Sequence, residues 1–151
     1  MVLFLMDAPG KREELHDMAR RIATVGYYVM LPNLYYRTTR EFVIGPDNRE
    51  EMFGHMNALS NAMVCNDIQS MFDYASTDSA AGGGAVGCVG YCMSGPFAFA
   101  AASTHSARIK ASASIHGVRL FTESEDSPHL EASRIEAVSY THLRAHETCT
   151  N

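Results

Sequence analysis

The stretch Val86-Gly87-Cys88-Val89-Gly90-Tyr91-Cys92-Met93-Ser94-Gly95-Pro96-Phe97-Ala98-Phe99-Ala100-Ala101 decides how this chain reads. It runs from an apolar, β-type segment through a tight cluster of small residues into an Ala/Phe-rich segment that reads as a helix to about Thr104. The small residues are spaced around one thiol: Gly90 stands two before Cys92, Ser94 two after it and Gly95 three after it. A nucleophile held on a sharp strand-to-helix bend needs this spacing, because the strained turn leaves little room at the neighbouring positions. The bend lifts the thiol clear of the backbone and aims the next amide, that of Met93, at the oxygen of an attacked carbonyl. The helix that starts there adds the positive end of its dipole, which favours a thiolate and an oxyanion alike. A second oxyanion donor is expected from the loop after the first strand, where the amide of Ala8 is the candidate.

Working outward, Val2–Met6 is an apolar run that ends in the turn cluster Asp7-Ala8-Pro9-Gly10, which reads as a buried strand and a loop. Leu15, Met18, Ala19, Ile22 and Ala23 form the stripe of an amphipathic helix closed at Gly26. Tyr27–Leu31 reads as a second strand, Thr38–Asn48 as an irregular excursion, and Glu50–Ser76 as helix with a break near Ser60-Asn61. Ile109–Ile115 reads as a fourth strand, ending at His116-Gly117. This alternation predicts an α/β fold, a mostly parallel sheet with flanking helices. Solidly apolar strands predict that helices cover both faces. In such sheets the ligand sits beyond the carboxyl ends of the strands, where the strand order reverses. Asp7 and Cys92 both stand at carboxyl ends, and they share one crevice if their strands flank that reversal.

The 151 residues predict one domain; the charge balance of 12 Lys+Arg against 17 Asp+Glu leaves a net −5 and disfavours a nucleic-acid partner. No apolar run approaches a membrane span, and the amino end shows no secretory signal. The four cysteines have no framework spacing, so reduced thiols, a cytoplasmic setting and no metal are expected. Gly82-Gly83-Gly84-Ala85-Val86-Gly87 matches a dinucleotide fingerprint in letters only, since it precedes a strand instead of following one. No cofactor is expected. Cys65 and Cys88 read as core thiols. A non-catalytic, flavodoxin-like binding module with Cys92 as a redox-sensitive or structural thiol stays open as the alternative.

Three motifs in order resemble the dienelactone hydrolase family of α/β-hydrolases. Gly90-Tyr91-Cys92-Met93-Ser94-Gly95 resembles its Gly-x-Cys-x-Gly-Gly elbow, with Ser94 in place of one glycine. Met6-Asp7-Ala8-Pro9-Gly10 resembles the loop that carries an acidic residue, and Pro32-Asn33-Leu34-Tyr35-Tyr36-Arg37 its Pro-Asp-Leu-Tyr-x-Arg segment. The resemblance implies hydrolysis of a small ester or lactone by a Cys-His-Asp triad. Cys92 is then the nucleophile and Asp7 the acid that partners the resting thiol. His116, Tyr35 and Arg49 are candidate substrate-binding residues. The family's triad Asp and His follow later strands, and no residue before Val138 stands in their place. A partial α/β-hydrolase domain over residues 1–137, inactive by itself, is therefore expected. Val138–Thr148 resembles one frame of a translated sequencing adapter, so 138–151 reads as a non-native tail. That reading bars His142, His146 and Glu147 from any site.

Overall fold

The computed structural model describes residues 1–142. Its sheet has five strands, all parallel: β1 (Val2–Leu5), β2 (Val29–Met30), β3 (Val86–Tyr91), β4 (Ile109–Ile115) and β5 (Val138–His142). Their spatial order is β2-β1-β3-β4-β5. The helices are α1 (Glu13–Ala23), α2 (Arg49–Asn57), α3 (Asn61–Ser76) and α4 (Gly95–Thr104). The chain steps one way from β1 to β2 and the other way from β1 through β3 to β5, so β1 and β3 flank the reversal. Right-handed crossovers then put α1 on one face and α3 and α4 on the other. Among the described residues, no helix is long and apolar enough to cross a membrane.

Local chemistry explains the elements. In α1, Glu13 and Glu14 occupy the first turn and Arg20 and Arg21 the last, matching the helix dipole at both ends. Ser60 begins α3 by accepting the Met63 amide at 3.2 Å, which is why the long helical stretch breaks where it does. Pro96 sits in the first turn of α4, where its missing N–H removes no helical bond. The core gathers Leu3, Phe4 and Leu5 with Ile68, Phe72 and Ile109, each 0 or 1 % exposed. Every such large side chain stabilises the fold by roughly 1.5–3 kcal/mol. Ala98, Ala101 and Ala102 let α4 lie close on β3 and β4, and Ser112 Oγ donates to the Ala98 carbonyl at 2.8 Å.

Three expectations change. The second strand shrinks from Tyr27–Leu31 to Val29–Met30, because it is a sheet edge with only two pairs to β1 and Tyr27 is exposed. Helices do not cover both faces throughout. Along β3 the residues alternate buried and half-buried, and a shallow concavity lined by Val2, Val89, Ala113, Val138 and Tyr140 shows the open face. A fifth strand joins the four expected, and it falls on residues read as tail. Val138, Tyr140 and Thr141 are β-type residues able to add an edge to β4, with Val138 and Tyr140 exposed. His146, Glu147 and Cys149 lie outside the described residues.

Candidate active site

The elbow forms where the sequence spacing puts it. Tyr91 ends β3, Cys92 adopts φ +50°, and a single 3-10 turn over Cys92–Ser94 leads into α4. A left-handed φ is uncommon for a residue with a Cβ and marks a bend held in place by its surroundings. Those surroundings are backbone. A Cβ on Gly90 would lie 2.0 Å from the Ser94 carbonyl oxygen, so only glycine lets the turn fold back over the strand. A Cβ on Gly95 would lie 2.4 Å from Gly117 Cα, so the start of α4 rests directly on the loop after β4. Met93 is the second residue of the turn, and the first amides of a helix have no partner inside it.

Ser94, fully buried, donates from Oγ to the Met6 carbonyl at the end of β1. This is the residue that stands where the resembling family carries glycine, and its hydroxyl ties the elbow to the neighbouring strand. Cys92 is half-buried, in contrast to Cys65 and Cys88, whose thiols burial pushes up from their ordinary ionisation range. His116 is the next residue after Ile115, which pairs with Tyr91, so Cys92 and His116 stand side by side beyond the sheet. His116 also has a left-handed φ, +51°, and the Val118 amide donates to the Cys92 carbonyl at 3.2 Å.

Asp7 lies across the reversal at the end of β1. Its carboxylate takes a two-pronged pair of bonds from Arg12, at 2.5 and 2.8 Å, and Arg12 also donates to the Gly10 carbonyl at 3.1 Å. The bond to Asp7 raises the Arg12 guanidinium above its usual range. The sequence reading gave Asp7 to the thiol and missed Arg12; a basic residue just past the Pro9-Gly10 turn is the signal that could have found it. The Tyr35 phenol is pushed far up, first by burial and then by the charges of Asp7 and Cys92.

Tyr35, a candidate substrate-binding residue that could equally serve packing, is packed in the core. It is 1 % exposed, and its hydroxyl donates to the Ala8 carbonyl at 2.8 Å. Arg49 stands exposed on the first turn of α2 with its guanidinium 5.6 Å from the centre of the Phe53 ring. Its stretch of chain has no fixed register against the motif, so sequence could not place it. Arg37, from the same motif as Tyr35, clamps Asp67 of α3 at 2.6 and 2.8 Å. A cavity of about 260 Å³ opens beside the elbow, lined among others by Met56, Leu59, Met93, Phe97, Val118 and Arg119.

A parallel sheet carrying a cysteine elbow at the strand next to its reversal, with helices around it, defines an α/β-hydrolase fold, and solved structures of that fold superpose on it. A Klebsiella pneumoniae structure named "Putative Dienelactone Hydrolase" gives a TM-score of 0.72 at 18% identity, covering 94% of this chain and 72% of that one. A dienelactone hydrolase-like promiscuous phosphotriesterase from metagenomic libraries gives 0.71 at 20%, covering 95% of this chain and 56% of that one. The sequence signature of the dienelactone hydrolase family matches residues 1–147, and the chain belongs to that family. A Synechocystis protein named "Putative carboxymethylenebutenolidase" is 27% identical over 119 residues, covering 78% of this chain and 48% of its own length. A protein of the same name from Methylorubrum extorquens is 24% identical, covering 77% of this chain and 39% of its own. The chain thus spans about half the length, or less, of these curated relatives.

Proposed function

We propose that this chain carries the nucleophile part of a carboxylic ester or lactone hydrolase. Cys92 Sγ, as a thiolate that has given its proton to solvent, attacks the substrate carbonyl, the carbonyl oxygen takes up the electron pair, and the amides of Met93 and Ala8 hold that oxyanion. Collapse expels the alcohol or ring oxygen, which takes a proton from solvent, and leaves a thioester on Cys92. The observation that carries this reading is the half-buried Cys92 at φ +50°, on a turn packed so tightly over Gly90 that no side chain fits beneath it. Family membership supports it and weighs against a binding module with a merely structural thiol. His116, beside Cys92, is proposed to border the substrate, and the cavity next to Met93 to take its apolar part. Asp7 is proposed as the anionic neighbour of the thiol, with Arg12 holding its orientation.

The triad acid and histidine are proposed to lie in the part of the relatives that this chain does not span, and Val138–Asn151 to be an adapter-derived tail. Deacylation needs a base to activate water. The chain alone is therefore proposed to acylate and then stall. With an activated ester such as p-nitrophenyl acetate, the expected result is one equivalent of p-nitrophenolate released per chain and no steady turnover, with the burst lost in Cys92→Ala. An equal burst from Cys92→Ala would overturn the assignment of the nucleophile, and sustained Cys92-dependent turnover would overturn the stalled state. Reading the DNA across codon 138 tests the tail.

A further inference from the structure

We propose that Tyr35 is a positioning residue for the oxyanion site, one that aims the Ala8 amide from behind; this rests on the reading of Cys92 as nucleophile. The two amides come from segments far apart in sequence, the loop after β1 and the elbow after β3. Stabilising an oxyanion requires both within roughly 2.7–3.1 Å of the same point. Something has to fix one loop against the other.

Two hydroxyls do so. The N–H of Ala8 belongs to the peptide plane between Asp7 and Ala8. The plane before it ends in the Met6 carbonyl, which accepts from Ser94 Oγ. The plane after it ends in the Ala8 carbonyl, which accepts from the Tyr35 hydroxyl at 2.8 Å. Holding the planes on both sides fixes the two Cα atoms between which the middle plane swings, and the Gly10 amide, donating to the Asp7 carbonyl of that middle plane at 3.1 Å, sets its rotation. The Tyr35 oxygen also lies 3.2 Å from Met93 Sδ, so the same group touches both residues whose amides are in question.

Tyr35 is itself held. Its ring meets Phe42 edge-on at 5.9 Å and lies 5.1 Å from the His55 ring. Its amide donates to Asn33 Oδ1 at 3.0 Å, which sets the turn that delivers it. Burial and the charges of Asp7 and Cys92 all oppose loss of its proton, so the hydroxyl remains a donor.

The test separates aim from folding. Acylation of Cys92 by p-nitrophenyl acetate passes through an oxyanion; alkylation of the same thiol by iodoacetamide does not. Removing one oxyanion donor outright costs about 10²–10³-fold, and a donor left in place but poorly aimed should cost less, about 10-fold. Tyr35→Phe is expected to slow acylation by about 10-fold and to leave alkylation within about twofold of the starting protein. Ser94→Ala removes the other hydroxyl and is expected to give the same signature, which keeps the test alive if either variant folds poorly. Equal acylation rates, or acylation and alkylation falling together in both variants, would overturn the proposal. A starting protein that alkylates at Cys92 but never acylates would instead overturn the nucleophile reading beneath it.

Discussion

Gly90 and Gly87 lie three residues apart in β3, and the structure gives them opposite responses to the same change. An alanine Cβ at Gly87 would meet nothing nearer than Val2 Cγ2 at 3.8 Å, an ordinary contact. Gly87→Ala should therefore gain about 0.5–1 kcal/mol, the usual benefit of replacing a strand glycine that has no special conformation. At Gly90 the added carbon would meet the Ser94 carbonyl oxygen at 2.0 Å, its carbon at 2.6 Å and Ala98 Cβ at 3.1 Å. Carbon–oxygen contacts settle near 3.3–3.6 Å, so the turn has to retreat by more than about 1 Å. The nearest atoms are backbone and cannot swing aside as a side chain could. Overpacking usually costs about 1–3 kcal/mol, and this site belongs at or above the top of that range, about 3 kcal/mol. For a chain of this size that is a fall of about 6–12 °C in melting temperature. Thermal unfolding by circular dichroism, with the alkylation rate of Cys92 measured on the folded variants, reads both consequences. Gly90→Ala melting with the starting protein, while Gly87→Ala falls, would refute the elbow packing described above.

Arg37→Ala removes the clamp between the Tyr35 loop and α3. Bonds to charged groups contribute about 1.5–3 kcal/mol when buried, and the 32 % exposure of the Arg37 side chain reduces that to about 1 kcal/mol; the urea midpoint measures it. Burial raises the Cys88 thiol, so the folded state keeps a proton that the unfolded chain releases above about pH 8.5. Stability due to this thiol is complete below that pH and declines above it by about 1.4 kcal/mol per pH unit. Cys88→Ala should flatten the alkaline limb of the stability profile; an unchanged slope would contradict the burial. Between pH 7 and 8, iodoacetamide should label Cys92 well ahead of Cys65 and Cys88, as peptide mapping would show.

The elbow was legible because its requirement is for small residues at fixed offsets, and Gly90 and Gly95 meet it through contacts a reader of sequence can anticipate in kind. The parallel sheet was legible for a similar reason, since long apolar runs alternating with helical stripes allow few arrangements. Side-chain direction was not. Tyr35 sits in a motif that sequence located, yet whether its hydroxyl faces a pocket or the Ala8 carbonyl depends on how the loop turns at Asn33. Asp7 stands just past the end of β1, as its place after the apolar run predicts, but its partner Arg12 comes from the approach to the next helix, on the far side of a turn whose shape sequence does not give. Ser94 read as a departure from the family pattern and proves to be a tie between β3 and β1. The open face of β3 and β4 was hidden because apolar residues on a strand look the same whether or not a helix lies above them.

The account stands on Cys92 as the atom that takes up an acyl group. Brief exposure of the whole chain to p-nitrophenyl acetate, followed by peptide mapping by mass spectrometry at mildly acidic pH, asks this directly. The account predicts a single acetyl group on the peptide that contains Cys92, formed faster than on any lysine. An acetyl group found only on lysines or on Cys149, with Cys92 unmodified, would contradict it.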